Sequence, residues 1–198
     1  MGPESTGKST LCELLAQHYR MQWCPEFARE YLLTNGKEYS FEDLLDIARG
    51  QLALEDEYTA MVKSQWALVK DNTSVNPHIL QHANHSPMLF IDTDMYVMKV
   101  WCEFVFGKCH SFILDQIVER KYDLYLLCNT DLPWIKDALR EYPDPENRRK
   151  LFRIYKDLMI NQHTPWAEIS GLDEERLKQA IGETERSVMG KIRKQGHM

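Results

Sequence analysis

Residues 2–11 read Gly-Pro-Glu-Ser-Thr-Gly-Lys-Ser-Thr-Leu and decide the fold, because they match the phosphate-loop pattern G-x-x-x-x-G-K-[ST] at every fixed position. The two glycines of such a loop let successive backbone N–H groups point inward at phosphate oxygens. The lysine then reaches the β- and γ-phosphates, and the next hydroxyl binds Mg²⁺. The sequence therefore predicts an ATP and Mg²⁺ site, with Ser9 on the metal and the nucleotide contacted by Gly2, Glu4, Ser5, Thr6, Gly7, Lys8, Ser9 and Thr10.

The segments around this loop predict an α/β fold. Apolar runs at 21–23, 88–91, 124–127 and 167–169 alternate with helical patterns, which is typical of a parallel sheet covered on both faces. We predict a three-layer αβα P-loop NTPase fold, as a single nucleoside-kinase-like domain over residues 1–198 with a small lid around 137–153. A long helix, or two helices joined near Gly50, is expected over 41–70, and another helix from Pro145 to about residue 160.

A phosphate loop should follow the central strand of such a sheet, and here only Met1 precedes it. We therefore expect the natural protein to begin several residues upstream, and the first strand to be missing from this sequence. The parallel strands on either side of this first strand would then lack a hydrogen-bonding partner.

Composition and charge narrow the range of partners. The net charge of −6 argues against a nucleic-acid or anionic-membrane surface, and no apolar run is long enough to span a membrane. The five cysteines are widely spaced and include no C-x-x-C pair, which indicates reduced thiols and a cytoplasmic location. ATP and a small-molecule acceptor are the partners we predict, while the oligomeric state stays open.

Several acidic residues are candidates for the chemistry. Asp92 ends an apolar strand, where a carboxylate can hold Mg²⁺ together with Ser9. Glu26 follows the second predicted strand, where the acceptor hydroxyl of a small-molecule kinase lies, and is the preferred general base. Asp94 is its competitor, and Arg29 is predicted to hold substrate oxygens beside them.

Basic and aromatic residues complete the predicted site. Arg140, Arg148, Arg149 and Arg153 form the densest arginine cluster, and arginines of a mobile lid can stabilise the charge of a transferring phosphoryl group. Trp134 could line a base pocket. His78, His82 and His85 could bind a metal, but their spacing lacks the H-E-x-x-H pattern, so we do not predict a site there. A GTPase is also disfavoured, because Asn129-Thr130-Asp131 lacks the lysine of a guanine-reading motif.

Five segments together resemble the ribosylnicotinamide kinase domain of the NadR family, within the wider group of AAA-type P-loop ATP-binding proteins. They are residues 2–11, Glu-Phe-Ala-Arg-Glu-Tyr at 26–31, Ala-Arg-Gly-Gln at 48–51, Phe-Ile-Asp-Thr-Asp at 90–94, and Asn-Thr-Asp-Leu-Pro-Trp-Ile-Lys-Asp-Ala-Leu-Arg at 129–140. The resemblance implies transfer of phosphate from ATP to nicotinamide riboside. It also implies that Glu26, Arg29 and Asp94 face the riboside, and that Asp137, Arg140 and Arg148 lie on the lid side.

The sequence departs from the family at two points. Pro25 stands where the family often has an aromatic residue that could stack on a pyridine ring. The adenylyltransferase and helix-turn-helix parts of full-length NadR proteins have no counterpart in these 198 residues. The resemblance therefore predicts the kinase reaction more strongly than it predicts the acceptor. The alternative is an ATP-binding regulatory or ATPase module without small-molecule kinase activity.

Overall fold

The computed structural model describes residues 1–70 and 87–195. Within these residues short strands alternate with helices, as the sequence predicts. In chain order the elements are α1 (Lys8–Tyr19), β1 (Gln22–Cys24), α2 (Phe27–Asn35), α3 (Phe41–Lys70), β2 (Leu89–Ile91), α4 (Met95–Phe106), α5 (Ser111–Glu119), β3 (Tyr125–Cys128), α6 (Pro145–Ile160), β4 (Trp166–Ile169) and α7 (Asp173–Gln195).

The described strands pair in parallel and form two halves of a sheet. β1 pairs with β2 in one half, and β3 pairs with β4 in the other. Parallel neighbours need a crossover, and helices supply it in each case. The α/β prediction is therefore confirmed.

Alternate residues of β3 show that helices cover both faces of the sheet. Leu126 and Cys128 pack with side chains of α1 and α7, whereas Tyr125 and Leu127 pack with side chains of α4 and α6. Because successive side chains of a strand point to opposite faces, these two helix groups lie on opposite sides. This arrangement is the three-layer αβα architecture that the sequence predicts.

The two half-sheets face each other across a cavity of about 350 Å³ between β2 and β3. Met1 lies at one end of this cavity and pairs with β3: its amino group donates to the Leu126 carbonyl over 2.9 Å, and its carbonyl accepts from the Cys128 N–H over 2.9 Å. Met1 thus extends the parallel ladder of β3 by one residue, at the position where the sequence analysis expects a strand. Among the described strands β2 and β3 do not pair with each other, and the cavity lies between them.

Local sequence signals explain several element boundaries. The Ser40 backbone N–H donates to the Asp43 carboxylate over 2.8 Å, and the Ser40 hydroxyl accepts from the Asp43 N–H over 3.3 Å, which is a reciprocal cap for α3. The helix continues unbroken through Gly50, where an added Cβ would lie 2.1 Å from the Phe27 ring. The glycine therefore lets α2 pack closely on α3. No helix in the described part of the chain is long and apolar enough to cross a membrane.

Candidate nucleotide and acceptor site

The phosphate loop has the backbone that its glycines predict. Gly2 has φ 134° and Gly7 has φ 74°, values that side-chain-bearing residues rarely adopt. Space is also limited, since a Cβ on Gly2 would lie 2.7 Å from the Cys128 carbonyl oxygen. Gly7 then leads directly into α1, so the N-terminus of this helix lies beneath the loop, where an anion is favoured.

The loop lysine bonds to the loop itself. The Lys8 ammonium donates to the Pro3 carbonyl over 2.9 Å, and the Thr6 hydroxyl donates to the same oxygen over 2.8 Å. A phosphate group entering the loop would compete with Pro3 for the Lys8 ammonium. A change in the side-chain conformation of Lys8 would therefore be enough to make the predicted contact with phosphate.

Two buried arginines donate hydrogen bonds to the backbone of the phosphate loop. Arg148 donates to the carbonyls of Ser5 and Leu132, each over 3.1 Å. Arg176 donates to the Thr6 carbonyl over 2.9 Å and also binds the loops that follow β3 and β4. Arg148, which is predicted from the sequence as a lid arginine of the active site, is buried and donates to the backbone of the phosphate loop.

A cavity of about 250 Å³ opens in front of the loop. One half is polar and consists of the phosphate loop, Glu26 and Arg29. The other half is largely apolar and is formed by α2, α4 and the segment before α6, with the side chains Leu32, Val100, Trp101, Phe104, Leu139 and Tyr142. The cavity can therefore hold a phosphate group at one end and an apolar or aromatic group at the other.

Glu26 lines this cavity close to the Lys8 ammonium. It is the residue before α2, two positions after β1 ends, and its carboxylate accepts a hydrogen bond from the Thr93 hydroxyl over 3.3 Å. Burial raises the pKa of Glu26 above its ordinary value, the Lys8 ammonium counteracts this, and Asp92 adds to it. A carboxylate with a raised pKa is a better proton acceptor, as a general base requires.

Asp92 is held close to Glu26 by the pairing of β1 with β2. Its backbone N–H donates to the Cys24 carbonyl over 3.1 Å, at the ends of the two strands. The side chain is buried, and its Oδ1 has no hydrogen-bond partner among residues 1–70 and 87–195. Asp92 lines the cavity between β2 and β3, as Lys8 also does, whereas Ser9 lines the cavity in front of the phosphate loop. A buried carboxylate oxygen without a partner fits a role as a Mg²⁺ ligand, directly or through water.

Asp94 does not lie where the sequence analysis expects it. Its side chain caps α4 by accepting from the Val97 N–H over 3.1 Å, and it points to the cavity between β2 and β3. It is absent from the described residues that line the site in front of the phosphate loop. Its position does not support the predicted substrate contact and leaves Glu26 as the candidate base.

The lid segment is tied to α2 across the mouth of the cavity. The Arg29 guanidinium donates to both carboxylate oxygens of Asp137, over 3.3 and 2.7 Å, and holds the pKa of Asp137 below its ordinary value. Arg140 also lines the cavity. Arg29, Asp137 and Arg140 therefore line the same cavity, and their roles toward a substrate stay a prediction.

Other predicted residues lie elsewhere. Trp134 is not among the described residues that line this cavity, so its predicted base contact has no support. Arg149 and Arg153 line a separate, polar depression on α6. His78, His82 and His85 lie outside the described residues. In the ranges 1–70 and 87–195 no group of three or more His, Cys, Asp or Glu side chains could hold a metal ion.

Two features of the site were not found from sequence. Arg176 bonds to residues at least 45 positions away, except for Gly171, so no local pattern marks it. The aromatic wall of Trp101, Phe104 and Tyr142 was also missed. The available signal was the apolar sequence of α4, which directly follows the strand that ends at the predicted site carboxylate Asp92.

Comparison with known proteins identifies the family and the fold of the chain. A family model described as "AAA domain" matches residues 1–176. The trifunctional NAD biosynthesis/regulator protein NadR of Escherichia coli (strain K12) is 24% identical over 197 residues, which is 98% of this chain and 42% of the relative. NadR of Salmonella typhimurium is 24% identical over 177 residues, or 87% of this chain and 38% of the relative. The chain thus spans less than half of the curated relatives that it matches.

Solved structures show the same fold. A crystal structure of NadR in complex with NR superposes with a TM-score of 0.65 at 21% identity, covering 95% of this chain and 49% of that one. A second NadR structure, in complex with NAD and AMP-PNP, gives a TM-score of 0.61 at 20% identity, covering 95% of this chain and 48% of that one. The chain therefore belongs to the AAA domain family and has the fold of the NadR P-loop domain.

Proposed function

We propose that this chain is an ATP-dependent kinase that phosphorylates the hydroxyl group of a nucleoside-like acceptor. Nicotinamide riboside is the first candidate, with nicotinamide mononucleotide and ADP as products. The observation that carries the proposal is that Glu26, a carboxylate with a raised pKa, lines the same cavity as the phosphate loop and a set of apolar and aromatic side chains. The fold shared with NadR structures in complex with NR or AMP-PNP supports the choice of ligands.

In the proposed reaction the acceptor hydroxyl gives its proton to Glu26. The acceptor oxygen forms a bond to the γ-phosphorus while the bond from that phosphorus to the β,γ-bridging oxygen breaks, and ADP leaves. Thr93 orients the Glu26 carboxylate through its hydrogen bond. Lys8 binds the phosphates and Arg140 faces the charge that spreads over the transferring group.

Ser9 and Asp92 would hold Mg²⁺, which neutralises phosphate charge when bound. Arg29 and Asp137 close the acceptor side of the pocket, and their ion pair keeps the lid segment over it. Arg148 contacts neither substrate in this proposal and affects the reaction only by holding the Ser5 carbonyl of the phosphate loop in place. In this proposal residues 1–198 work as one kinase domain whose lid lies around 137–153.

The variant Glu26→Gln tests the base. We expect kcat for phosphorylation of nicotinamide riboside to fall about 10²-fold or more, because general-base catalysis contributes roughly that factor. The Kd for Mg-ATP should change little, since within residues 1–70 and 87–195 the Glu26 carboxylate is hydrogen-bonded to Thr93 and acts on Lys8 only through space. Glu30→Gln changes an exposed carboxylate in the first turn of α2, the helix that Glu26 precedes; it is the matched control and should keep wild-type kcat. Unchanged kcat in Glu26→Gln would reject Glu26 as the base, and ATP hydrolysis without a phosphorylated acceptor would favour the regulatory module.

A further inference from the structure

A side chain of the phosphate loop holds the backbone of the lid. The Glu4 carboxylate accepts the N–H of Glu141 over 3.0 Å and, through its other oxygen, the N–H of Tyr142. Hydrogen bonds to an ionised acceptor are about twice as strong as neutral ones. The loop that would bind phosphate and the segment that closes the pocket are therefore joined directly.

The same lid residue is joined to the apolar wall of the pocket. The Trp101 indole N–H donates to the Tyr39 hydroxyl over 2.9 Å, and the Tyr39 hydroxyl donates to the Glu141 carboxylate over 3.0 Å. The Tyr39 and Trp101 rings meet edge to face, with centroids 5.1 Å apart. Burial raises the pKa of Tyr39, so its hydroxyl keeps the proton that it donates at neutral pH.

These bonds form one path from Glu4 through Glu141 and Tyr39 to Trp101, which lines the acceptor half of the cavity. Beside it, the Tyr142 ring packs edge to face on Phe104, with centroids 5.2 Å apart. The positions of the Trp101 and Phe104 side chains, which line the cavity, thus depend on where the lid residues 141 and 142 lie.

We propose that this path couples nucleotide binding to acceptor binding, with Glu4 and Tyr39 as positioning residues that touch neither reacting group. The proposal rests on the proposed function, because the second ligand is the kinase acceptor. Phosphate bound by the loop amides fixes the backbone on both sides of Glu4, and Glu4 then holds the lid amides. Tyr39 is hydrogen-bonded to both Glu141 and Trp101, so the position of the lid then fixes the Trp101 side chain. By linkage, the acceptor must tighten nucleotide binding by the same factor.

Calorimetric titration with nicotinamide riboside, with and without Mg-AMP-PNP, measures the coupling. We expect the nucleotide to lower the acceptor Kd about 5-fold or more in the wild type, the lower end of typical coupling. In Tyr39→Phe, which loses the donor to Glu141, this factor should fall toward 1 while the Kd for AMP-PNP alone stays the same. Tyr58→Phe and Glu38→Gln remove a similar group outside the path and should keep the wild-type factor. A wild-type factor in Tyr39→Phe would overturn the proposal.

Hydrogen exchange of the lid amides tests the first step without any acceptor. Mg-AMP-PNP alone should slow exchange of the Glu141 and Tyr142 N–H groups in the wild type, and should not do so in Glu4→Ala. If the nucleotide has no effect on these amides, or the same effect in Glu4→Ala, the coupling path is wrong. A wild type that shows the protection but does not bind nicotinamide riboside would instead count against the choice of acceptor in the proposed function.

Discussion

Removal of the Arg176 side chain should destabilise the protein more than most single substitutions. Arg176 is 4% exposed, and its guanidinium binds the Thr6, Asn129 and Gly171 carbonyls and the Asp131 carboxylate. Arg176→Ala would leave the buried Thr6 carbonyl and the partly buried Asn129 and Gly171 carbonyls without their donor, whereas Asp131 is exposed and can be hydrated. An unsatisfied buried acceptor costs about 1–3 kcal/mol, so for these three carbonyls we expect a loss of about 4 kcal/mol in the free energy of unfolding.

Urea unfolding, followed by circular dichroism, measures this loss, and thermal unfolding gives a second estimate. At about 2–4 °C per kcal/mol for a chain of this size, the midpoint should fall by roughly 8–16 °C. Arg186→Ala is the matched control, because Arg186 lies on the same helix with a side chain that is 72% exposed and pairs only with nearby residues. Its effect should stay within about 0.5 kcal/mol. If Arg176→Ala lowers the free energy of unfolding no more than the control does, Arg176 does not stabilise the fold by holding these three loops together.

Three further predictions concern the loop and the base. Lys8→Ala should abolish measurable phosphorylation while the fold is kept, as judged by circular dichroism, because no other described ammonium lies in the loop. Thr93→Val should move the acid limb of the kcat profile to higher pH, since the Thr93 hydrogen bond lowers the pKa of a base that must be deprotonated to act; a shift to lower pH would contradict the assignment. Glu26→Gln should be more stable than wild type at pH 7, because a carboxyl whose pKa is raised by folding loses stability as pH rises through that value. The stability difference should disappear below about pH 4, where Glu26 is protonated in both the folded and the unfolded protein.

The parts of the fold that local signals specify could be predicted from the sequence. The phosphate-loop pattern gave the loop, the helix after it and the parallel sheet. Pro145 after Asp144 marked the start of α6, and Asp144 caps that helix by accepting the Asn147 N–H over 2.9 Å. The prediction of Asp92 at the carboxyl end of its strand followed from a rule of topology, because open parallel sheets bind ligands at the carboxyl ends of their strands.

Residues whose roles depend on distant partners could not be assigned in this way. Arg148 and its neighbours look alike in sequence, and only the packing of α6 against the loop separates a buried brace from an exposed arginine. Asp94 could be read as a base or as a helix cap, and the apolar helix that follows it was the signal for the cap. The bonds of Glu4 to the lid span 137 and 138 positions and have no local signature.

The most direct test of the account is a mass-spectrometric assay of the chain with Mg-ATP and nicotinamide riboside, with other nucleosides as competitors and Lys8→Ala as the blank. We predict nicotinamide mononucleotide and ADP in equal amounts at an enzymatic rate, and neither product with Lys8→Ala. Wild-type protein that binds ATP but phosphorylates no nucleoside, or product formation that is undiminished in Lys8→Ala, would contradict the proposed kinase.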